Sequence, residues 1–308
     1  MINQTFYLNE EKTATLTTYV LDGEISYHVT RNRPAIIICP GGGYLMTATK
    51  EGEAVAASFL QKGVNTFVLR YSTYFKTRMT SLDEIPEVDP SSYYPQPVRQ
   101  LMQVMHLLHL NAEKWHIDVE NIFVMGFSAG GHLALSLGNH WQDPSYTKGL
   151  PFIPQNDELK PKGLVVGYPL IEGDSAPYII ANATAGELLA QQTDFIYQCL
   201  YQTTSPSADQ FAAVDQRNWI SANTPPTFIW ATGGDKIVDP AVTVDYFQRL
   251  RKAHVPAELH FFEQGPHGLA LANPLYAKSD AEIDDVVAMW RPLAINWLNR
   301  QIEEGKDH

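Results

Sequence analysis

Ile122-Phe123-Val124-Met125-Gly126-Phe127-Ser128-Ala129-Gly130-Gly131-His132-Leu133-Ala134 is the stretch on which the reading of this chain turns. Four apolar residues in a row have the pattern of a strand buried on both faces, and the segment from Ala129 to 139 has helical character. Between them lies Gly126-Phe127-Ser128-Ala129-Gly130, a G-x-S-x-G pentapeptide. Alone it is weak, since chance supplies one in about a tenth of chains this long. In a strand–turn–helix setting it forces the serine onto a sharp turn with its hydroxyl outward. The competing reading is a serine that merely caps a helix.

Outward from that point, strands and helices alternate. Segments 35–39, 66–70, 121–125, 163–168, 227–231 and 257–262 read as strands, and 51–62, 98–114, 129–139, 242–253 and 284–300 as helices. Such alternation predicts an α/β fold: a mostly parallel sheet covered by helices on both faces, with functional loops beyond the carboxyl ends of the strands. Upstream, 15–21 and 25–30 read as a hairpin around Asp22-Gly23. Two segments break the rhythm. The stretch 72–97 is rich in Tyr and Pro and reads as a long loop. Residues 171–223 follow a strand, hold weak helical pieces around 187–202, and read as a cap insertion. With no repeat or linker in view, 1–308 is expected to form one domain.

A serine hydroxyl needs a base to take its proton. Where a serine occupies such a turn, an acid and then a histidine follow it in the chain. His140 would sit at the far end of the helix beginning at Ser128, roughly 18 Å away. His254 falls near a helix end, His260 inside a strand and His308 at the terminus, while helical geometry points His132 into the fold or to a helix flank. His267 lies in Glu263-Gln264-Gly265-Pro266-His267-Gly268, just past a strand, where its ring can reach Ser128. For the acid, Asp235 follows strand 227–231 directly. Asp239 precedes Pro240 and suits a helix N-cap; Asp174, after strand 163–168, is the other rival. The acid would hold the histidine tautomer and stabilise the imidazolium. Pro40-Gly41-Gly42-Gly43-Tyr44 follows strand 35–39, so the amides of Gly42, Gly43 and Ala129 are the expected oxyanion donors. A dinucleotide loop fits poorly, because the third glycine position is Met46 and no G-K-[ST] follows.

Bulk properties narrow the classes. Lys and Arg total 22 against 34 Asp and Glu, giving −12, with no basic cluster; nucleic acid is not expected as a partner. At 44% hydrophobic and 18% charged, the composition is that of an ordinary globular chain. No apolar run reaches ~18 residues and no leader is visible, so neither a membrane span nor secretion is expected. Cys39 and Cys199 make neither a disulfide framework nor a zinc site; two free thiols in a reducing, cytoplasmic setting are the expectation. No metal or cofactor is called for. The sequence carries no signal for or against a homo-oligomer.

The chain resembles the esterase/lipase group of α/β hydrolases, and within it small bacterial carboxylesterases of the acetylxylan-esterase-like kind. The matching stretches are residues 39–44, 67–71, 124–134, 224–230 and 262–269, over roughly residues 30 to 300. The resemblance implies an α/β-hydrolase fold, a Ser128, Asp235 and His267 triad, and hydrolysis of small, short-acyl esters, acetylated sugars among them. It departs at Pro40, where the broader family has His; proline has no N–H and stiffens the turn, so the loop is expected to be held differently while the glycine amides remain. Tyr44 and Tyr71, with Tyr74, Phe75, Tyr93 and Tyr94, are candidates to line a substrate pocket or simply to pack. An amide-directed hydrolase, an interfacial lipase and a catalytically inactive binding protein are the rival readings; the polar 171–223 segment disfavours the lipase.

Overall fold

The computed structural model describes residues 1–26, 29–182 and 192–304. Strand β1 spans Ile2–Tyr7, β2 Thr15–Val20, β3 Glu24–Ser26, β4 Val29–Thr30 and β5 Arg33–Cys39. They are followed by β6 (Asn65–Arg70), β7 (Ile117–Phe127), β8 (Gly163–Gly167), β9 (Thr227–Thr232) and β10 (Ala257–Phe262). Eight of these form one sheet in the order β1-β2-β6-β5-β7-β8-β9-β10. From β6 to β10 every neighbouring pair is parallel; the β1–β2 and β2–β6 pairs at one edge are antiparallel, so β2 alone runs against the other strands of the sheet.

Side chains on a strand alternate between faces, and the core divides accordingly. Ala35, Ile37 and Cys39 of β5, Val124 of β7 and Ile229 of β9 enter one cluster. Ile36, Ile38, Phe123, Met125, Phe228 and Trp230 enter the other. Among the described residues there are nine α-helices: α1 (Glu53–Leu60), α2 (Gln96–Leu110), α3 (Ala129–His140), α4 (Pro144–Thr147), α5 (Ala176–Asn182), α6 (Thr193–Tyr201), α7 (Ala208–Val214), α8 (Pro240–Lys252) and α9 (Trp290–Glu304). Helices α2, α3 and α8 cover the first face through Leu101, Leu133 and Tyr246. On the second, α1 and α9 pack Phe59 and Trp297. The sheet is thus covered on both sides, as the alternation predicts. Among the described residues no helix is long and apolar enough to cross a membrane.

The hairpin expected at Asp22-Gly23 is not formed. β2 pairs with β1 on one side and β6 on the other, so neither edge is left for a strand at 25–30. β3 and β4 instead make a separate two-stranded sheet, and residues 27–28 of the expected strand lie outside the described residues. Gly23 packs on the His116 ring, with room for no Cβ. The closing helix begins at Trp290 rather than 284. Asp284 Oδ1 accepts from the amides of Val286 and Val287, and a single 3-10 turn precedes α9.

The segment between β8 and β9 contains α5, α6 and α7, and part of the weak helical stretch expected at 187–202 lies outside the described residues. Helix α7 begins with a capping box between Ser207 and Gln210. Stretch 72–97 is mostly irregular, with one bridge between Phe75 and Val88. It meets α6 through the Tyr94 amide and the Cys199 carbonyl, 3.0 Å apart. Cys39 and Cys199 are both buried free thiols.

Candidate active site

β7 sits between β5 and β8 in the middle of the sheet and delivers Ser128 directly from its carboxyl end. Ser128 has φ 51° and ψ −121°, a conformation that side chains rarely adopt. The flanking glycines make that turn feasible. A Cβ on Gly126 would fall 2.0 Å from the Gly130 carbonyl oxygen, and one on Gly130 would fall 2.0 Å from that of Cys39. Backbone therefore meets backbone on both sides of the serine. Gly130→Ala is expected to destabilise the fold by about 3 kcal/mol, because the opposing group is a carbonyl that cannot swing away. The urea midpoint against wild type would show it.

The three residues picked from the sequence as nucleophile, base and acid come together. His267 Nε2 lies 2.9 Å from Ser128 Oγ, and its Nδ1 lies 2.7 Å from Asp235 Oδ2. Asp235 is 3% exposed, and its Oδ1 accepts from the amides of Ile237 and Val238 at 2.8 and 2.9 Å. With the carboxylate so held, the histidine proton belongs on Nδ1, which leaves the Nε2 lone pair for the serine hydroxyl. The loop carrying His267 is tied to the β9 end where Thr232 Oγ1 donates to the Gly265 carbonyl at 2.8 Å. Burial disfavours the imidazolium, but the charge and hydrogen bond of Asp235, with Glu51 adding and Lys50 opposing, leave His267 above its ordinary value.

The rival residues have other partners. Asp239 caps α8 through the Ala241 amide at 2.9 Å. The exposed Asp174 takes the Tyr197 hydroxyl. His140 pairs with Asp143 and His260 with Glu258. His308 lies outside the described residues. His132 is fully buried, with Nδ1 2.8 Å from the Tyr44 hydroxyl and Nε2 2.9 Å from the Val214 carbonyl. The carbonyl requires the proton on Nε2, so Nδ1 accepts from Tyr44; burial lowers this imidazole to about 4, and it is neutral.

Beyond β5, the glycine loop folds on itself. The Leu45 amide donates to the Gly42 carbonyl and that of Ala48 to the Gly41 carbonyl. Gly42 has φ 126°, and a Cβ there would lie 2.2 Å from the Met46 carbonyl oxygen, so only glycine fits. Among the described residues the Gly42 and Gly43 amides donate to no protein acceptor. That of Ala129 opens α3, where helix geometry supplies none. Pro40, the departure in the sequence, is anchored through its carbonyl, which accepts from Tyr71 Oη at 2.8 Å.

Tyr44 and Tyr71 do not line a pocket. They are 0% and 1% exposed, with both hydroxyls engaged beneath the glycine loop. Their rings pack on each other at 5.6 Å. Glu51 and Tyr168, which sequence reasoning did not single out, are buried against the site instead. Among the described residues, no group of three His, Cys, Asp or Glu side chains could hold a metal ion.

An open, mostly parallel sheet with serine, acid and histidine on loops beyond its strand ends is the architecture of a hydrolase fold. The chain belongs to the alpha/beta hydrolase fold family, which matches it over residues 88–271. It is 29% identical over 243 residues to an endo-1,4-beta-xylanase B of Butyrivibrio fibrisolvens, covering 78% of this chain and 33% of that protein. To an acetylxylan esterase of Xylanibacter ruminicola it is 25% identical, over 76% of this chain and 40% of the relative. The chain thus spans only a third to two-fifths of the length of these curated relatives. Among solved structures, a carboxylesterase from Lactobacillus plantarum superposes with a TM-score of 0.76 at 26% identity, covering 98% of both chains.

Proposed function

We propose that the chain is a serine carboxylic-ester hydrolase for short-acyl, acetyl-type esters, with acetylated sugars as its natural class. The observation that carries this reading is the unbroken chain Asp235–His267–Ser128, at 2.7 and 2.9 Å, beside amides without protein acceptors. Relatives named acetylxylan esterase and carboxylesterase support the acyl class.

In this reading Ser128 Oγ attacks the ester carbonyl carbon as its proton passes to His267 Nε2. The carbonyl oxygen becomes an oxyanion held by the amides of Gly42, Gly43 and Ala129. Collapse expels the alcohol, which leaves with the Nε2 proton, and Ser128 keeps the acyl group. Water then attacks the acyl carbon, giving a proton to Nε2; the serine departs with that proton and the carboxylic acid is released. Every proton and electron pair moves between substrate, water and these side chains, so the reaction calls for no metal or cofactor.

Residues 1–308 act as one catalytic unit, with 171–223 as a cap. The Leu170 amide donates to the Ser128 carbonyl at 3.0 Å and Tyr178 of α5 donates to the Asp235 carbonyl at 2.8 Å, so this segment starts against the triad. Two free thiols, Cys39 and Cys199, support a cytoplasmic location.

Initial rates on p-nitrophenyl acetate, butyrate and octanoate, on acetylated xylo-oligosaccharides, and on matched formamides and peptides test the reading. The expected order is acetate first, with kcat/KM falling along the acyl series. Preference for octanoate or for an amide would reject it. A pH profile adds a second check. His267 works as a base only when neutral, and its imidazolium is stabilised above the ordinary 6.5. The acid limb of kcat/KM is therefore expected above pH 6.5, with activity lost as pH falls through it.

A further inference from the structure

We propose that Glu51 is a positioning residue that ties the glycine loop to the histidine loop, so that the oxyanion donors and His267 keep one geometry around Ser128. This rests on the serine-hydrolase reading above. Glu51 ends the 3-10 turn Thr49–Glu51 before α1 and is 3% exposed. A buried carboxylate is costly unless its oxygens are satisfied. Here each oxygen serves a different loop. Oε2 accepts from the Gly41 amide at 2.7 Å, and Oε1 accepts from the Tyr168 hydroxyl at 2.7 Å.

On the glycine side, this bond fixes which amides remain free. Gly41 N–H is consumed by Glu51, and the Gly42 and Gly43 amides next to it are left to face a developing charge. Gly41 has no slack: a Cβ on it would stand 2.6 Å from the Phe127 carbonyl oxygen, 2.8 Å from Ser128 Cβ and 3.0 Å from Glu51 Oε2. The carboxylate and the nucleophile thus clamp the same glycine from two sides.

On the histidine side, Tyr168 is the relay. It donates to Glu51, and its hydroxyl oxygen accepts from the Ala270 amide at 3.0 Å, three residues past His267. Its ring stands edge-on to the His267 ring, 4.9 Å between centroids. The Ala270 carbonyl accepts from Trp290 Nε1 at 2.8 Å, so this turn is held at both polar groups. A Cβ on Gly268 would lie 4.0 Å from Glu51 Oε1, which places the carboxylate beneath the chain adjoining His267.

Glu51 also bears on charge. The neighbouring Lys50 turns away to Glu282 at 3.1 Å, and among the described residues Glu51 forms no ion pair. Burial pushes its carboxyl up, while the bonds from Tyr168 and Gly41 and the charges of His267 and Lys50 pull it back. Ionised, it supplies His267 with a second negative neighbour after Asp235. The charged or titratable groups facing His267 are Asp235, Glu51, Tyr168 and Lys50.

Glu51→Gln separates this role from simple filling of space, because it keeps the volume but gives one of two donors an NH2 to face. With p-nitrophenyl acetate, kcat is expected to fall on the order of 10–100-fold, the cost of displaced reacting groups, with KM changed by less than about threefold. The acid limb of the pH profile should move to lower pH, since the imidazolium loses a negative neighbour; space-filling alone would not move it. Wild-type kcat together with an unmoved limb would overturn the proposal. Should Glu51→Gln fail to fold, Tyr168→Phe decides. It deletes the relay hydroxyl and keeps the ring, and kcat is expected to fall by roughly 3–10-fold; an unchanged kcat overturns the proposal. Fluorophosphonate labelling of wild-type Ser128 is the control. An unlabelled, inactive wild type sinks the hydrolase reading itself, whereas a labelled wild type beside unaffected variants sinks only the role of Glu51.

Discussion

Ser128→Ala is expected to lower kcat on p-nitrophenyl acetate by on the order of 10^6-fold and to abolish fluorophosphonate labelling. The size follows from what remains. Without Oγ there is no attacking atom to which His267 could direct a proton, so the acyl-enzyme cannot form. The glycine loop, His267 and Asp235 stay in place because none hangs from the serine side chain: Glu51, Tyr71 and the amides of Ile237 and Val238 hold them. Residual catalysis of about 10^3-fold or more over water should therefore survive, from oxyanion stabilisation and binding alone. The fold should tolerate alanine, since the turn is shaped by backbone contacts at Gly126 and Gly130 rather than by the hydroxyl. Undiminished turnover in a folded Ser128→Ala protein would remove the nucleophile assignment.

Asp235→Asn carries the second largest effect, on the order of 10^4-fold in kcat, with little change in shape. Two amides, of Ile237 and Val238, point at Oδ1, so an asparagine would keep its carbonyl oxygen there. Its NH2 would then occupy the Oδ2 position, 2.7 Å from His267 Nδ1. That group donates, so Nδ1 must accept and the histidine proton moves to Nε2. A protonated Nε2 cannot take the serine proton, and the ring has lost its principal counter-charge. The kcat/KM profile should fall with its acid limb displaced downward. Activity within tenfold of wild type would place the acid elsewhere, with Asp174 the next residue to test.

How far the sequence foretold these features depended on whether local pattern or distant contact decided them. β5, β8 and β9 were legible because strands buried on both faces are continuous apolar runs. The serine turn was legible because its glycines are required by close backbone approach. Asp235 and His267 could be picked by position, as each directly follows a strand. β1 was missed because an edge strand in the pattern Ile-Asn-Gln-Thr-Phe-Tyr buries little, and the hairpin was misread because Asp-Gly signals a turn whether or not the flanking strand has an open edge. Tyr44 and Tyr71 looked like pocket residues since an aromatic beside a glycine loop can point either way; only His132 and Pro40 fix where they go. Glu51, in Lys-Glu-Gly-Glu, reads as an ordinary charged helix start, and nothing short-range reveals that Gly41 and Tyr168 bury it.

The site is assembled from the ends of β5, β7, β9 and β10, and its decisive contact joins residues 139 apart in the chain. Glu51 and Tyr168 meet across 117. Contacts of such separation form only after the loops between them have closed, against an entropy that local helices never face. A partly folded chain could hold α3 or the β1–β2 pair and still lack the geometry around Ser128. Turnover thus gauges whether the full topology has been reached, which secondary-structure content cannot reveal.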